Sequence, residues 1–330
     1  MNTAKESKMT VVSLFSGCGG MDLGFLGGFD FLGKHYEKTD FEIIWANDIN
    51  TSACDTYRQN IGAHIIPGDI DFVIDSLPGY ADVVIGGFPF QDISINGKML
   101  GIDGKRSSLY TAIVKAVSKI RPMVFVAENV KGLLMARYKD SLDRIIKDFS
   151  DLGYQVTYHL YHAADYGVPQ ARERVFIVGT RNDLPFYVPP EPTCGRHITA
   201  KEAVCDLEGR ERDSHFSHIW SLANRSTEQG NRKLKPDKPA QTIRAECHGN
   251  IQFHYSLPRR ISMREAARFQ SFPDDFIFCA KLRETERQIG NAVPPVLAWH
   301  VAKEIQKTLF PEGTEYSMPF WSHQSFTISI

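Results

Sequence analysis

The 330-residue chain is short of several signatures that would place it quickly. Its six cysteines, at 18, 54, 194, 205, 247 and 279, include no C-x-x-C pair. Thiols at that spacing build structural zinc sites, so no metal set is expected. There is no run of about 18 apolar residues that could cross a membrane. The opening stretch MNTAKESKMT is polar, and the apolar run after it soon reaches Ser and Gly, unlike a secretory leader. A cytoplasmic protein with reduced thiols is the expectation. Internal repeats and low-complexity segments are missing too. So is a dominant charge: 38 Lys and Arg face 39 Asp and Glu. This excludes a basic coat over the whole molecule, but not a local site for a polyanion. Apolar residues make up 42% and charged residues 23%, enough for a core without staples.

Charge by segment says more. Residues 1–180 hold 18 basic against 21 acidic side chains, residues 181–260 hold 13 against 10, and residues 261–330 hold 7 against 8. The middle segment also carries five of the 11 histidines. A polyanion is best sought there.

The first 180 residues alternate short β-branched runs with helical stretches. The runs are Val11–Phe15, Glu42–Ala46, His64–Ile66, Asp82–Ile85, Met123–Ala127 and Val175–Val178, each bounded by Gly, Asp or Asn. The helical stretches are Thr51–Asn60, Ser107–Ile120 and Lys139–Leu152. This alternation predicts an α/β fold with a parallel, doubly wound sheet. From about residue 183 prolines cluster and periodicity fades until about 261, as in a small irregular domain. A last helix is expected at Pro295–Leu309, and the aromatic tail from Pro311 is expected to pack on a surface.

Several motifs then fall at strand ends. Phe15-Ser16-Gly17-Cys18-Gly19-Gly20 joins a strand to a helix. Its glycines suit either a simple tight turn or close approach of backbone to a ligand. The third glycine of a G-x-G-x-x-G fingerprint is absent, which weakens a nicotinamide reading. Asp48 and Asp69 end the second and third strands. Ligands in open α/β sheets bind there, so these acids suit ribose and adenine, although Asp also caps helices. After the fourth strand comes Gly86-Gly87-Phe88-Pro89-Phe90-Gln91, and after the fifth Ala127-Glu128-Asn129-Val130. Gln170-Ala171-Arg172-Glu173-Arg174 and Gln288-Ile289-Gly290-Asn291-Ala292-Val293-Pro294 follow.

In this order the motifs resemble those of the bacterial cytosine-5 DNA methyltransferases of restriction–modification systems, from about Val11 to Leu309. The resemblance implies a Rossmann-like S-adenosylmethionine-dependent methyltransferase domain with a smaller, irregular target recognition domain. It implies methyl transfer to carbon 5 of cytosine in a short site of double-stranded DNA, with the target base flipped out, protecting that site from a partner endonuclease. Phe15, Gly17, Gly19, Asp48, Asp69, Ile70 and Asn291 would line the cofactor site. Glu128 would bind the ring nitrogen and amino group of cytosine and Arg174 its carbonyl oxygen. Arg172 would steady a phosphate or the catalytic loop, and Thr242 would sit near the DNA backbone. Residues 1–182 would form the catalytic domain, 183–275 the recognition domain, with specificity carried by 183–257, and 276–330 a segment returning to the catalytic domain. The protein is expected to act as a monomer, without metal or membrane.

One position departs from the family. Where it has Pro-Cys-Gln, this chain has Pro89-Phe90-Gln91. A thiolate adding to carbon 6 makes carbon 5 nucleophilic, and a phenyl ring cannot add. Cys18 lies in the cofactor loop, Cys54 on the next helix, and the other cysteines lie outside the catalytic half. Phe90 therefore reads as an inactivating substitution on an otherwise intact scaffold. The five histidines of 197–254 read as surface or DNA-contact residues, and their spacing gives no metal set. Rival readings are a DNA-binding regulator without chemistry and a transfer RNA methyltransferase, whose Cys-Phe-Thr tripeptide is missing here.

Overall fold

The computed structural model describes residues 8–88, 109–223, 231–245 and 251–310. Its centre is a seven-stranded sheet. β1 (Met9–Leu14) lies between β4 (Phe41–Asp48) and β6 (Val83–Gly87), and β5 (Ile65–Pro67) pairs β4 at one edge. On the other side β7 (Val124–Val130) pairs β6, followed by β10 (Glu173–Arg181) and β8 (Tyr154–His162). The pairs from β5 to β7 are parallel. β10 is antiparallel to both β7 and β8, so the all-parallel expectation is corrected to a mixed sheet. The reason is the connection. β8 and β10 are joined by a short corner with no crossover helix, and only an antiparallel pair can be linked that way.

The parallel strands are apolar along nearly their whole length, as strands covered on both faces must be. One face packs under α1 (Gly20–Leu26) and α9 (Pro295–Leu309). The other packs under α4 (Leu109–Ile120) and α5 (Lys139–Asp151). α1 and α9 touch through Gly24, where an added Cβ would lie 2.4 Å from the Cβ of Ala298 and 2.5 Å from the carbonyl oxygen of Pro295. Pro295 opens α9 in the first turn, where its missing N–H costs nothing. The last helix thus packs with the first against one face of the sheet. A hairpin, β2 (Phe29–Phe31) with β3 (Lys34–Tyr36), turns through Leu32 and Gly33 with φ of 46° and 76°. Two positive φ values in a two-residue loop are what strand twist favours.

A third apolar cluster is built apart from the sheet. It joins α6 (Ala200–Val204), α7 (Met263–Phe269) and α8 (Leu282–Asn291) to Leu234, Ala240 and Ile251, and it includes Cys18 of the glycine loop. Capping boxes start α6 (Thr199 with Glu202) and α7 (Ser262 with Glu265). Among the described residues no helix is long and apolar enough to cross a membrane.

Candidate active site at the strand ends

β1 ends at Leu14, and the chain turns through residues 15–19 into α1. Phe15, Gly17 and Gly19 all have positive φ (57°, 55° and 94°). For Phe15 that conformation is sterically costly and has to be imposed by its surroundings. The loop is pinned from β4. Ser16 N donates to Asn47 O at 2.9 Å, and Gly17 N donates to Asp48 Oδ2 at 2.8 Å. Asp48 Oδ1 also accepts from Asn50 N at 2.8 Å. Burial raises the Asp48 carboxyl above its ordinary range, and these two amides pull it back. A Cβ at Gly17 would meet no protein atom within 4 Å, so the loop presents bare backbone to an open crevice. At Gly19 a Cβ would lie 2.9 Å from Ile61 Cγ1, so packing excludes a side chain there.

Beneath the loop is a buried chain of hydrogen bonds that the sequence did not suggest. Ser16 Oγ donates to Ser13 Oγ at 2.9 Å, and Ser13 Oγ donates to Asp22 Oδ2 at 3.1 Å. Tyr57 OH donates to Asp22 Oδ1 at 2.9 Å and lies 2.9 Å from His64 Nε2. Asp22 is completely buried, and burial pushes its carboxyl up to about 6 against the pull of both hydroxyls.

Asp69 is the N-cap of the one-turn helix α3 (Ile70–Val73), its Oδ1 accepting from Asp71 N at 3.1 Å. Capping is therefore its visible role, with Ile70 buried behind it. α8 closes over the glycine loop from the far end of the chain. Cys18 Sγ is 3.7 Å from Gln288 O, Asn50 Nδ2 donates to Glu284 Oε1 at 2.6 Å, and Gln288 Nε2 reaches Ser52 Oγ at 3.4 Å. A Cβ on Gly20 would strike Val293 O at 2.5 Å. Asn291 is the last residue of α8, beside this contact, and is exposed.

Glu128 sits on β7 in register with Gly87 of β6 and Phe176 of β10. It is nearly buried, with Arg174 Nε 2.8 Å from its Oε1. Burial raises the Glu128 carboxyl, while Arg174 and then Arg172 oppose the rise. Burial favours the neutral carboxyl and the arginines the charged one, and a carboxyl so placed suits a hydrogen bond to a ring nitrogen. Arg172 is fully buried and the Arg174 side chain is 12% exposed, so they are not a solvated strand edge.

Arg172 is wholly buried. Its guanidinium donates to the carbonyls of Ile243 (3.0 Å), Gly290 (2.9 Å) and Ala292 (3.0 Å). Gln170, also missed, works beside it. Its Nε2 donates to Phe269 O at 2.9 Å, and its Oε1 accepts from Ile243 N at 2.8 Å. Gln270 Nε2 completes the set on Ala292 O. These side chains bolt the corner β9 (Gln170–Ala171) to β11 (Ala240–Gln241), α7 and the end of α8. Thr242 Oγ1 donates to Ala171 O at 2.8 Å in the same corner.

Phe90, with Pro89 and Gln91, lies outside the described residues, as does the aromatic tail. The last described residue before it is Phe88, whose carbonyl accepts from Asn129 Nδ2 at 3.0 Å. No described cysteine is a ready substitute nucleophile near the loop. Burial drives the Cys18 thiol far up and Cys54 to about 11. Among the five histidines, His218 and His254 are buried, not surface groups. His218 Nδ1 meets Ser262 Oγ at 3.0 Å, and His254 Nδ1 accepts from Ser256 N and Leu257 N at 3.2 Å. Polar side chains had marked them for the surface, but each has a partner that makes burial tolerable. His197 is partly exposed and His215 exposed, while His248 is outside the described residues.

With this geometry in place, comparison with known proteins is decisive. A family model for C-5 cytosine-specific DNA methylase matches residues 9–235 and 199–307. The chain belongs to the C-5 cytosine-specific DNA methylases. It is 38% identical to the type II methyltransferase M.NgoFVII of Neisseria gonorrhoeae, over 92% of this chain and 87% of that one. It is 35% identical to M.MthTI of Methanothermobacter thermautotrophicus, covering 91% and 98%. A solved structure described as a DNA modification methyltransferase from an Escherichia coli prophage has the same fold, with TM-score 0.68 at 23% identity, covering 92% of this chain and 99% of that one. Spodoptera frugiperda DNMT2 aligns with TM-score 0.64 at 17% identity, covering 92% and 100%. The sheet is thus the Rossmann-like sheet of the cytosine-5 methylases. Family membership carries methyl transfer to carbon 5 of cytosine in DNA, with S-adenosylmethionine as donor.

Proposed function

We propose that this chain is a restriction–modification cytosine-5 methyltransferase that keeps its cofactor and base sites but has lost its nucleophile at Phe90. The observation that carries the reading is the buried Glu128–Arg174 pair at 2.8 Å. It stands at the same end of the sheet as the glycine loop and directly beside the strand that leads to residue 90.

S-adenosylmethionine, when bound, supplies the methyl group. The open backbone at Gly17 suits its close approach, which supports Phe15, Gly17, Gly19, Asp48, Asp69, Ile70 and Asn291 as its lining. Asp48 holds the loop with one carboxylate oxygen and retains lone pairs for ribose hydroxyls. Glu128, its carboxyl raised by burial, hydrogen-bonds the cytosine ring nitrogen and amino group. Arg174 orients Glu128 and donates to the base carbonyl oxygen. Arg172 acts through the fold, fixing the corner that joins the sheet to residues 183–275, which we assign to target recognition in double-stranded DNA. A phenyl ring at 90 provides no lone pair for carbon 6.

Two measurements test this. Calorimetric titration of the Phe90 protein with S-adenosylmethionine should saturate; no binding at millimolar cofactor overturns the cofactor assignment. Tritium transfer from labelled cofactor to mixed-sequence duplex DNA should be absent with Phe90 and return with Phe90→Cys. Turnover by the Phe90 protein overturns the nucleophile assignment. An inactive Phe90→Cys protein on DNA holding its target favours a regulator that only binds.

A further inference from the structure

At the end of β8, two histidines from separate segments converge on one carboxylate. His162 ends β8, Asp165 follows in a single 3₁₀ turn, and His197 lies 32 residues further on, just before α6. His162 Nδ1 is 3.2 Å from Asp165 Oδ1, and His197 Nε2 is 2.7 Å from the same oxygen. All three ligand atoms lie within 4.8 Å of one another. We propose that His162, Asp165 and His197 form a binding site for a divalent transition ion of the zinc class, clamping the start of the recognition segment to the sheet.

Geometry supports the assignment. Zinc binds imidazole nitrogen and carboxylate oxygen at about 2.0–2.2 Å, which puts tetrahedral ligand atoms about 3.4 Å apart. The two measured separations are within about 0.7 Å of that spacing. The two imidazoles select against calcium and magnesium, which want oxygen ligands. Each side chain is roughly a third or more exposed (33%, 34% and 40%), leaving an open side for a water as fourth ligand.

The site is held in place independently of any ion. Thr193 N and Cys194 N both donate to Asp165 O at 3.0 Å, and Tyr166 OH donates to Pro190 O at 2.9 Å. The backbone carrying His197 is therefore already docked against the turn that carries Asp165. Proton bookkeeping also closes. In neutral imidazoles the N–H groups that face Asp165 move to the far ring nitrogens when an ion takes their place. No hydrogen bond among the described residues occupies either far nitrogen.

The competing explanation is a carboxylate that merely accepts from two imidazoles. Titration of the full-length, untagged protein with Co²⁺ separates them. The expected result is one equivalent giving the visible absorption of four-coordinate cobalt, bleached by Zn²⁺, and abolished in both Asp165→Asn and His197→Ala. Far-UV circular dichroism and S-adenosylmethionine binding should be unchanged in His197→Ala, whose side chain is partly exposed, so its loss cannot be charged to unfolding. The proposal is overturned if no such absorption develops, or if it persists undiminished in both variants.

Discussion

Asp22 offers the sharpest test of the physics beneath the cofactor loop. Its carboxylate is completely buried and accepts from Tyr57 OH and Ser13 Oγ. Burial outweighs those bonds and lifts the carboxyl from an ordinary 3.8 to about 6. The folded protein therefore holds a proton that the unfolded chain has already released between those two pH values. Stability must fall as pH rises through this window and then level off above it. The charged form is disfavoured by about 3 kcal/mol in the folded state. Asp22→Asn removes the titration and keeps a partner for each hydroxyl, because an amide can accept from one and donate to the other. Urea unfolding of both proteins at pH 4 and pH 7 reads the effect, and all other titrating groups cancel in the comparison. The asparagine protein should gain roughly 2 kcal/mol on the parent between pH 4 and pH 7, because the unfolded carboxyl is already more than half ionised at pH 4. An unchanged difference at the two pH values would refute the claim that burial controls Asp22.

Further outcomes follow from packing and charge. Gly24→Ala should destabilise by at least about 1–3 kcal/mol in urea, because its Cβ would collide with the α9 backbone at Pro295. Arg172→Lys should cost roughly 3 kcal/mol or more, since an ammonium cannot span three carbonyls on separate segments and leaves buried acceptors unpaired; near-parental unfolding would show that the bolt is unimportant. Binding to duplex DNA should weaken steeply with added salt, with log affinity falling by about 0.9 per phosphate neutralised for each unit of log salt. A flat salt response would rule out phosphate contacts by the basic 181–260 segment.

Much of the sheet was legible because its strands are short β-branched runs flanked by Gly, Asp or Asn. The boundaries found differ by a few residues at most for β1, β6 and β7. β8 escaped because all its residues but Val156 and Leu160 are Tyr, Gln, Thr or His, with a burial pattern that does not alternate. Its antiparallel partner β10 was found, but its direction was not, since direction depends on a connection and not on composition. The strand-end acids were located correctly as positions. What sequence could not show was that Asp48 first serves the loop, that Asp69 caps a turn, or that Arg172 faces inward. A charged residue in an irregular stretch looks solvent-exposed until its carbonyl partners, over 70 residues away, are brought to it. Asp22 and Gln170 were invisible for the same reason. The one available signal for Gln170 was its two-residue spacing from Arg172, which puts both on one side of an extended corner.

The arrangement also bears on the proposal that a single residue removes the chemistry without removing the site. Glu128 owes its position to its register between β6 and β10 and to Arg174 at 2.8 Å. The corner behind it is fixed by Gln170 and Arg172 through main-chain carbonyls. The glycine loop is fixed by Asp48 and by contact with the end of α8. None of these bonds involves residue 90. The proposed acid, the glycine loop and the corner at Gln170 are therefore each supported by contacts among other residues. On the proposed reading a nucleophile restored at position 90 returns the chemistry, and labelled methyl transfer by Phe90→Cys checks it.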